Sequence, residues 1–189
     1  MAIQLSKRLF TVAEFTRMAE GGVLREDDRV ELLEGEVVEM TPIGARHAFA
    51  VMTLDYALSE ALSPEQAVRR IQSPIQLGEF SQLQPDIALV RPPLSRYAAR
   101  HPQAPDVFLL VEVAQTSADY DREVKVPLYA QHGVAEVWLI DLNKNRLECF
   151  REPAGQGYQS RQTPAPHEAL APASLPDCEI RLQDLPGFS

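Results

Sequence analysis

The stretch VFLLVEVAQTS, residues 107–117, is a nearly continuous apolar run that carries one charge, Glu112. A run of this kind predicts a central strand that is covered on both faces of a sheet. A buried glutamate is costly to desolvate unless it is paired or binds a metal ion. Glu112 is therefore a candidate site residue, and structural pairing with an arginine is the alternative.

A second predicted strand, LQPDIALV at residues 83–90, carries Pro85 and Asp86 at its leading end. Asp86 after a proline could cap a turn, because aspartate bonds nearby backbone amides. If the two strands are neighbours, Asp86 and Glu112 would form an oxygen-rich site for a hard cation such as Mg²⁺. The backbone carbonyl of Val113 could supply a further oxygen ligand.

The composition is that of an ordinary globular protein. The chain has 189 residues, of which 45% are hydrophobic and 24% are charged, and we expect one domain over residues 1–189. No stretch approaches the roughly 18 apolar residues of a membrane span, and the N-terminus MAIQLSKRLF lacks a targeting pattern, which predicts a cytoplasmic protein without a membrane partner. Cys149 and Cys178 lie far apart and are expected to be buried small hydrophobic residues.

The formal charge of −9 argues against a nucleic-acid partner, since such proteins usually carry a basic surface. Local basic patches remain compatible with it. The candidates are Lys7 with Arg8, Arg69 with Arg70, and the loop RPPLSRYAARH at residues 91–101.

Three helices are predicted. Thr11 and Glu14 have capping-box spacing and start a short helix that ends at Gly21-Gly22. The second helix runs from Ala45 to Leu62, and its predicted core stripe consists of Ala45, Phe49, Met52 and Tyr56, widened by Leu54, Leu58, Ala61 and Leu62.

The third helix, YDREVKVPLYAQHG at residues 120–133, has Gly133 as its stop. Pro127 lies inside it, so the helix either begins near Val126 or is distorted there. The sequence leaves both alternatives open.

The remaining strands complete a mixed sheet. RVELLEGEVVEM predicts a hairpin that turns at Glu34-Gly35, and AEVWLIDLNKNRLECF predicts another. AVRRIQSPIQL is predicted as one strand, demoted by Pro74 to an edge or bulged position, and the tail adds strands near Tyr158 and around Cys178 to Leu182. Helices that separate strands predict an α/β (α+β) fold, a mixed central sheet flanked by helices.

Lys125 is a candidate partner for the two acids. Hydrolysis of a phosphodiester by metal-bound water benefits from a cationic group that orients the nucleophile. Lys125 follows Glu112 by a short loop and about one helical turn, and Tyr129 lies four residues later on the same helical face. The alternatives are an exposed helix lysine and a core tyrosine with its hydroxyl at the rim.

Pro85-Asp86, then Glu112-Val113, then a lysine resembles the PD-(D/E)XK nuclease superfamily. The longer set RVELLEGEVVEMTPIGARH, QPDIALV and VEVAQTSADYDREVKVPLYAQHGVAEVWLIDL resembles its Uma-type branch of bacterial restriction-endonuclease-like proteins, from about Phe10 to Leu185. The resemblance implies a restriction-endonuclease-like core and divalent-metal cleavage of nucleic acid. It also implies that Asp86 and Glu112 are metal ligands and that Glu31 is an additional catalytic acid. His47 matches a histidine common in this branch, without an assigned role.

The chain departs from the superfamily pattern at Ala114, where a lysine is usual. In this branch Lys125 is the substitute, because a long flexible stem can bring the ammonium to the same point. The preferred hypothesis is a Mg²⁺- or Mn²⁺-dependent DNA endonuclease, possible as a homodimer. A catalytically silent binding or assembly module and a hydrolase of smaller phosphoesters are the rivals.

Overall fold

A computed structural model describes residues 6–25 and 27–188. Its strands form a six-stranded sheet and a four-stranded sheet. The helices are α1 (Val12–Glu20), α2 (Ala45–Ala61), α3 (Ala118–Tyr120) and α4 (Val126–Gln131), with a π-helical turn, Asp121–Lys125, between the last two. The strands are β1 (Val30–Leu33), β2 (Glu36–Glu39), β3 (Val68–Ile71), β4 (Ile75–Leu77), β5 (Ser81–Leu83), β6 (Ile87–Val90), β7 (Val107–Ala114), β8 (Glu136–Asp141), β9 (Arg146–Ala154) and β10 (Gly157–Gln162).

The larger sheet has the order β10-β9-β8-β7-β6-β3, so β7 lies in its interior. Strands β7 and β8 are parallel and the other neighbours are antiparallel. The helical segment from α3 to α4 connects the parallel pair, as such a crossover requires. The predictions of a buried central strand, a mixed sheet and flanking helices are confirmed.

The two faces of the larger sheet pack against different layers. Helix α2 and the C-terminal tail cover one face. Helix α4 and the smaller sheet, of order β2-β1-β5-β4, cover the other face. Because side chains alternate along a strand, Asp86 and Glu112 project toward this second layer together with Ala88 and Leu110.

The first helix forms as its sequence predicts. The Thr11 hydroxyl accepts a hydrogen bond from the Glu14 backbone N–H at 3.2 Å, and the Glu14 carboxylate accepts one from the Thr11 N–H at 3.0 Å. These bonds satisfy two of the free donors at the helix start. The helix ends at Gly21, and the capping-box prediction is confirmed.

The predicted buried face of α2 is confirmed for Leu54, Leu58 and Leu62 and is wrong for its main stripe. Phe49, Met52 and Tyr56 are exposed, with 69% of the Met52 surface open to solvent, whereas the buried residues are Ala50, Val51, Leu54 and Leu58. Apolar residues occur nearly all round this helix, so periodicity alone does not select a face. The face with smaller and branched side chains packs on the sheet.

The segment AVRRIQSPIQL forms two strands and not one. Strand β3 is an edge of the larger sheet, as expected from Pro74, while β4 belongs to the smaller sheet. Gln72, with a φ of 44°, turns the chain between them. The next segment likewise leaves β5 in the smaller sheet and crosses at Pro85-Asp86 into β6 of the larger one.

Both structural consequences predicted for Pro127 occur: a helix begins near Val126, and the helical segment is distorted there. Helix α4 begins at Val126, and the turn before it is widened, so that the Val126 N–H donates to the carbonyl of Asp121. Proline has no N–H to donate to the carbonyl of Glu123, which an α-helix would require. The wide turn accommodates that missing bond, and Gly133 follows the helix with a φ of 77°.

The hairpin of β8 and β9 and the strand at Tyr158 are confirmed. The predicted strand from Cys178 to Leu182 is wrong, since Ile180 makes only an isolated bridge with Leu170. Cys149 and Cys178 are buried and free. Among the described residues no helix is long and apolar enough to cross a lipid bilayer.

Candidate functional site

The crossing between the two sheets fixes the position of Asp86. Its Oδ1 accepts a hydrogen bond from Gln72 Nε2 at 3.2 Å and lies 2.8 Å from His47 Nε2. Its Oδ2 accepts the Val113 N–H at 2.8 Å. The alternative of a local turn cap therefore does not describe Asp86, because its partners come from α2, from the end of β3 and from β7.

Glu112 lies on the central strand and is 3% exposed. Its Oε1 accepts the Tyr129 hydroxyl at 2.5 Å and lies 3.5 Å from Lys125 Nζ. Burial raises the pKa of Glu112 well above its usual value, the ammonium of Lys125 opposes that rise, and nearby acids add to it. Glu112 has no arginine partner among the described residues, which separates it from a structural ion pair of the usual kind.

The wide turn before α4 carries Lys125 into the same region. Its Nζ donates to Glu31 Oε1 at 3.1 Å as well as lying near Glu112, and the residue is 6% exposed. Burial lowers the pKa of Lys125, but the carboxylates of Glu112, Glu31 and Asp121 outweigh it, and the net shift is upward. The neighbouring carboxylates therefore favour the charged ammonium, and the side chain is buried and not the exposed lysine of the alternative interpretation.

Glu31 reaches the site from β1 of the smaller sheet. It is buried, and its Oε1 also accepts the Gln84 N–H at 2.7 Å. Gln84 directly precedes Pro85, so Glu31 ties the crossing segment to Lys125. The site thus lies at the junction of the two sheets.

Asp121 is an additional acid that sequence reasoning missed. It is buried, it accepts a hydrogen bond from Ser117 Oγ at 2.7 Å, and burial raises its pKa. The spacing of four residues from Asp121 to Lys125 and again to Tyr129 is a signal that could have found it. Tyr129 is also fully buried, so its hydroxyl faces Glu112 and not the rim.

These side chains open into a cleft of about 570 Å³. The cleft includes the β2–α2 connection and the segment after β7, which contributes the polar side chains of Gln115, Thr116 and Ser117. Its charged residues are Arg29, Glu31, Glu39, Asp86, Glu112, Asp121 and Lys125. An ion or a phosphate could therefore reach the buried carboxylates from solvent.

The donor set suits a hard cation. Asp86 and Glu112 supply carboxylate oxygens, and a divalent ion such as Mg²⁺ needs only one or two carboxylates besides water and substrate oxygens. The Val113 N–H points to Asp86, and in an extended strand the carbonyl of the same residue points to the same side. Within the described residues, however, no group of three or more acids, histidines or cysteines is arranged around one point.

All four residues that the sequence predicts as catalytic lie in this cleft, namely Glu31, Asp86, Glu112 and Lys125. His47 also lies there, in contact with Asp86. The residues that sequence reasoning did not assign are Gln72 and Asp121. No sequence signal marks Gln72, because its contact with Asp86 depends on how β3 pairs with β6.

The fold is that of a restriction-endonuclease-like protein. It combines a mixed sheet with one acid just before β6, one acid on β7 and a lysine in the turn before α4. The family model described as "Uma2: Putative restriction endonuclease" matches residues 12–183. The chain belongs to this family, and the resemblance to the PD-(D/E)XK superfamily agrees with that membership.

One solved structure supports the fold independently. It is the crystal structure of "a putative nuclease belonging to DUF820" from Anabaena variabilis ATCC 29413, with a TM-score of 0.75 and 16% sequence identity. The match covers 95% of this chain and 98% of that chain. At this identity the likeness concerns the fold alone. No curated protein matches the sequence.

Proposed function

We propose that the protein is a divalent-metal-dependent endonuclease that hydrolyses phosphodiester bonds of DNA. One observation carries the proposal: four buried carboxylates, those of Glu31, Asp86, Glu112 and Asp121, line one cleft. Of these, the ammonium of Lys125 contacts only Glu31 and Glu112, and Asp86 contacts the imidazole of His47. An excess of buried negative charge is costly unless a cation compensates it. Family membership directs the chemistry toward phosphodiester cleavage.

In this proposal Asp86, Glu112 and the Val113 carbonyl would hold Mg²⁺ or Mn²⁺. A bound divalent ion would supply a water of lowered pKa and would stabilise charge on the phosphate. Hydrogen bonds from Val113 and Gln72 orient Asp86, and the Tyr129 hydroxyl orients Glu112. The protein thus fixes both carboxylates before substrate arrives.

Lys125 would orient the attacking water and stabilise negative charge near the scissile phosphate. Because its pKa is raised, the side chain is a hydrogen-bond donor and a positive charge, not a general base. Glu31 accepts one of its protons and holds it between the two sheets. Glu31 therefore acts in this proposal by positioning Lys125.

Cleavage of supercoiled plasmid DNA by the purified protein tests the proposal. We expect nicked or linear product with Mg²⁺ or Mn²⁺, none with EDTA, and a loss of about 1000-fold in rate for Asp86→Asn or Glu112→Gln, from the several kcal/mol that a metal site contributes. Asp177→Asn, an exposed acid of the tail, is the matched control. Equal rates for the site variants and the control would remove the assignment.

A catalytically silent binding module is the second candidate. The burial of Lys125 favours it, because an ammonium already paired with Glu31 and Glu112 resembles a structural ion pair. DNA binding without turnover over a range of divalent ions would decide for this candidate. A smaller phosphoester as substrate would instead appear as hydrolysis of a chromogenic phosphodiester that excess DNA does not inhibit.

A homodimer is the form that we propose for cutting both strands, in a cytoplasmic setting. The exposed stripe of Phe49, Met52 and Tyr56 on α2 supports a contact between copies, since exposed apolar patches often mark protein contacts. Sedimentation of the wild type and of Met52→Asp tests it. We expect the wild type to sediment as a dimer and the variant as a monomer.

A further inference from the structure

The loop between β6 and β7 and the edge strand β3 gather arginines around one tyrosine. The Tyr97 ring lies 5.9 Å from the guanidinium of Arg70 and 5.4 Å from that of Arg100. Its hydroxyl donates to the Arg91 carbonyl at 2.7 Å, and Arg91 itself covers the ring of Phe108. The sequence motifs Arg69-Arg70 and RPPLSRYAARH, far apart along the chain, thus meet in one place.

Positive charge exceeds negative charge in this cluster. Asp106 is the acid that contacts it, with Arg100 at 2.7 Å and Arg96 at 3.4 Å. Chiefly through the hydrogen bond from Arg100, the pKa of Asp106 falls to about 2, so it stays ionised. Asp106 therefore contacts Arg96 and Arg100, whereas the guanidinium groups of Arg70 and Arg91 have no carboxylate partner among the described residues. This local excess of positive charge occurs in a protein whose net charge is −9.

Arg70 is the residue that a purely structural interpretation leaves unexplained. Its side chain forms no ion pair or hydrogen bond with any residue in the described part of the chain, and its Nε is buried without a partner. Burial lowers the pKa of Arg70, which expresses the cost of holding this charge there. A bound anion would supply the missing acceptor, whereas Arg96 and Arg100 already have Asp106.

The cluster, which we call the Tyr97 arginine surface (Arg70, Arg91, Arg96 and Arg100), extends toward the candidate site through Arg70. Its other three arginines lie in the loop after β6, beyond the end of that strand opposite Asp86. Arg70 pairs with Ala88 of β6, and Ala88 follows Asp86 by two residues on the same face of the sheet. At about 3.3 Å per residue, Arg70 lies one repeat of the pleat from the level of Asp86. Gln72, the next β3-side residue on that face, already contacts Asp86.

We propose that the Tyr97 arginine surface binds the phosphodiester backbone of duplex DNA and guides it to the acid-rich cleft. The inference rests on the proposed function for its substrate. Guanidinium groups bind phosphate oxygens in pairs and stay charged at every relevant pH. An excess of arginine beside an otherwise acidic cleft can offset the repulsion between those carboxylates and DNA.

Binding of a fluorescein-labelled 30-base-pair duplex, measured by anisotropy in EDTA, tests the proposal without cleavage. The double variant Arg70→Gln/Arg91→Gln should bind at least 10-fold more weakly than the wild type at about 100 mM salt. The slope of log affinity against log salt should fall by about two, since each lost phosphate contact contributes about 0.9. Arg181→Gln, an exposed arginine of the tail, is the control and should bind as the wild type does.

Folding of the double variant is checked by circular dichroism, which should match the wild type. The Arg70 side chain has no ion pair or hydrogen bond to lose, and Arg91 loses one hydrogen bond, from its Nε to the Pro105 carbonyl at 2.9 Å. Unchanged affinity and salt slope in the variant, or absence of duplex binding by the wild type, would overturn the inference. Competition by polyglutamate as effective as competition by DNA would also overturn it, in favour of an acidic protein partner.

The proposed function fails separately from this inference. Asp86→Asn removes one of the carboxylates that repel DNA, so it should bind the duplex at least as tightly as the wild type does, and it should not cleave it with Mg²⁺. If the wild type binds DNA through Arg70 and Arg91 but never cleaves it, the proposed DNA-binding surface stands and the proposed nuclease activity is wrong. If the double variant cleaves DNA with wild-type kinetics at every salt concentration, the nuclease activity stands and the proposed role of the Tyr97 arginine surface is wrong.

Discussion

Two groups of buried acids in the same protein are neutralised in different ways. Glu148, 1% exposed on β9, is surrounded by the guanidinium groups of Arg122, Arg146 and Arg161. Glu112 is 3% exposed, and within residues 6–25 and 27–188 its one cationic partner is Lys125, which Glu31 shares. The two glutamates are therefore buried to a similar extent, but Glu148 has three cationic partners and Glu112 has one.

The pKa values of the two carboxyl groups shift in opposite directions. Burial raises the pKa of Glu148, but hydrogen bonds from Arg161 and Arg122 outweigh it, and the net shift is downward. Burial raises the pKa of Glu112, and Lys125 does not overcome it. An acid that serves packing alone receives its counter-charges from within the chain, whereas the under-compensated acids of the cleft point to a ligand from outside.

Among the replacements that test this difference, Lys125→Met should have the largest effect on stability. It leaves Glu31 and Glu112 without their cation, and we expect the free energy of unfolding to fall by about 3 to 5 kcal/mol at neutral pH. Arg122→Met is the matched control, and it should cost less because two other arginines remain on Glu148. Urea denaturation followed by circular dichroism measures both, and equal losses would contradict the distinction.

The replacement Tyr129→Phe tests how Glu112 is held. It removes a buried hydrogen bond to a carboxylate, and we expect a loss of about 2 kcal/mol. In Tyr158→Phe the lost hydroxyl donates to the neutral carbonyl of Val134, so the loss should be about 1 kcal/mol. A larger loss in Tyr158→Phe by the same denaturation measurement would argue against a charged Glu112.

The pH dependence of stability tests Asp106, which is another buried acid paired with arginines. The folded-state pKa of Asp106 is about 2 against an ordinary 3.8, so its contribution is present above pH 3.8 and is lost as the pH falls through about 2. Asp106→Asn should therefore cost about 1 to 2 kcal/mol at pH 7, discounted for the half-exposed arginine partners, and the difference should shrink below pH 4. Denaturation at pH 7, 4 and 2.5 measures it; a difference that grows toward low pH would contradict the assignment.

The smallest effect is expected for Arg146→Met. Its guanidinium lies 3.3 Å from Glu148, but Arg122 and Arg161 are closer and remain. We expect less than about 1 kcal/mol in the free energy of unfolding, as for other partly exposed pairs. A cost near that of Lys125→Met would show that the arginines of Glu148 do not substitute for one another.

Local sequence patterns predicted the elements whose causes are local. The capping box at Thr11 and Glu14, the hairpin turn at Glu34-Gly35 and the buried run of β7 depend on neighbouring residues alone. The face of α2 could not be read this way, because apolar residues surround it and packing against the sheet selects the buried side. The division of one predicted strand into β3 and β4 depended likewise on a second sheet.

The candidate site was predictable where a residue was out of place. Glu112 in an apolar strand and Asp86 after a proline are conspicuous in sequence. Lys125 was a candidate from its position after Glu112, and Glu31 came through the family resemblance. Gln72 and the arginine shell of Glu148 are not conspicuous, since each depends on contacts between distant segments. Asp121 had a signal in its spacing, but many surface acids share that spacing.

The π-helical turn before α4 gives the family motif an unusual sensitivity to chain length. An α-helix turns each residue by about 100°, so removing one residue between Asp121 and Lys125 would rewind the turn and rotate everything before it relative to Lys125. A substitution in this turn changes one side chain. A single-residue deletion would instead move Asp121, and every residue before it, relative to Lys125. Pro127 disfavours the rewound form, because it cannot donate the α-helical bond. The spacing of this segment is thus under a constraint that residue identity alone does not express.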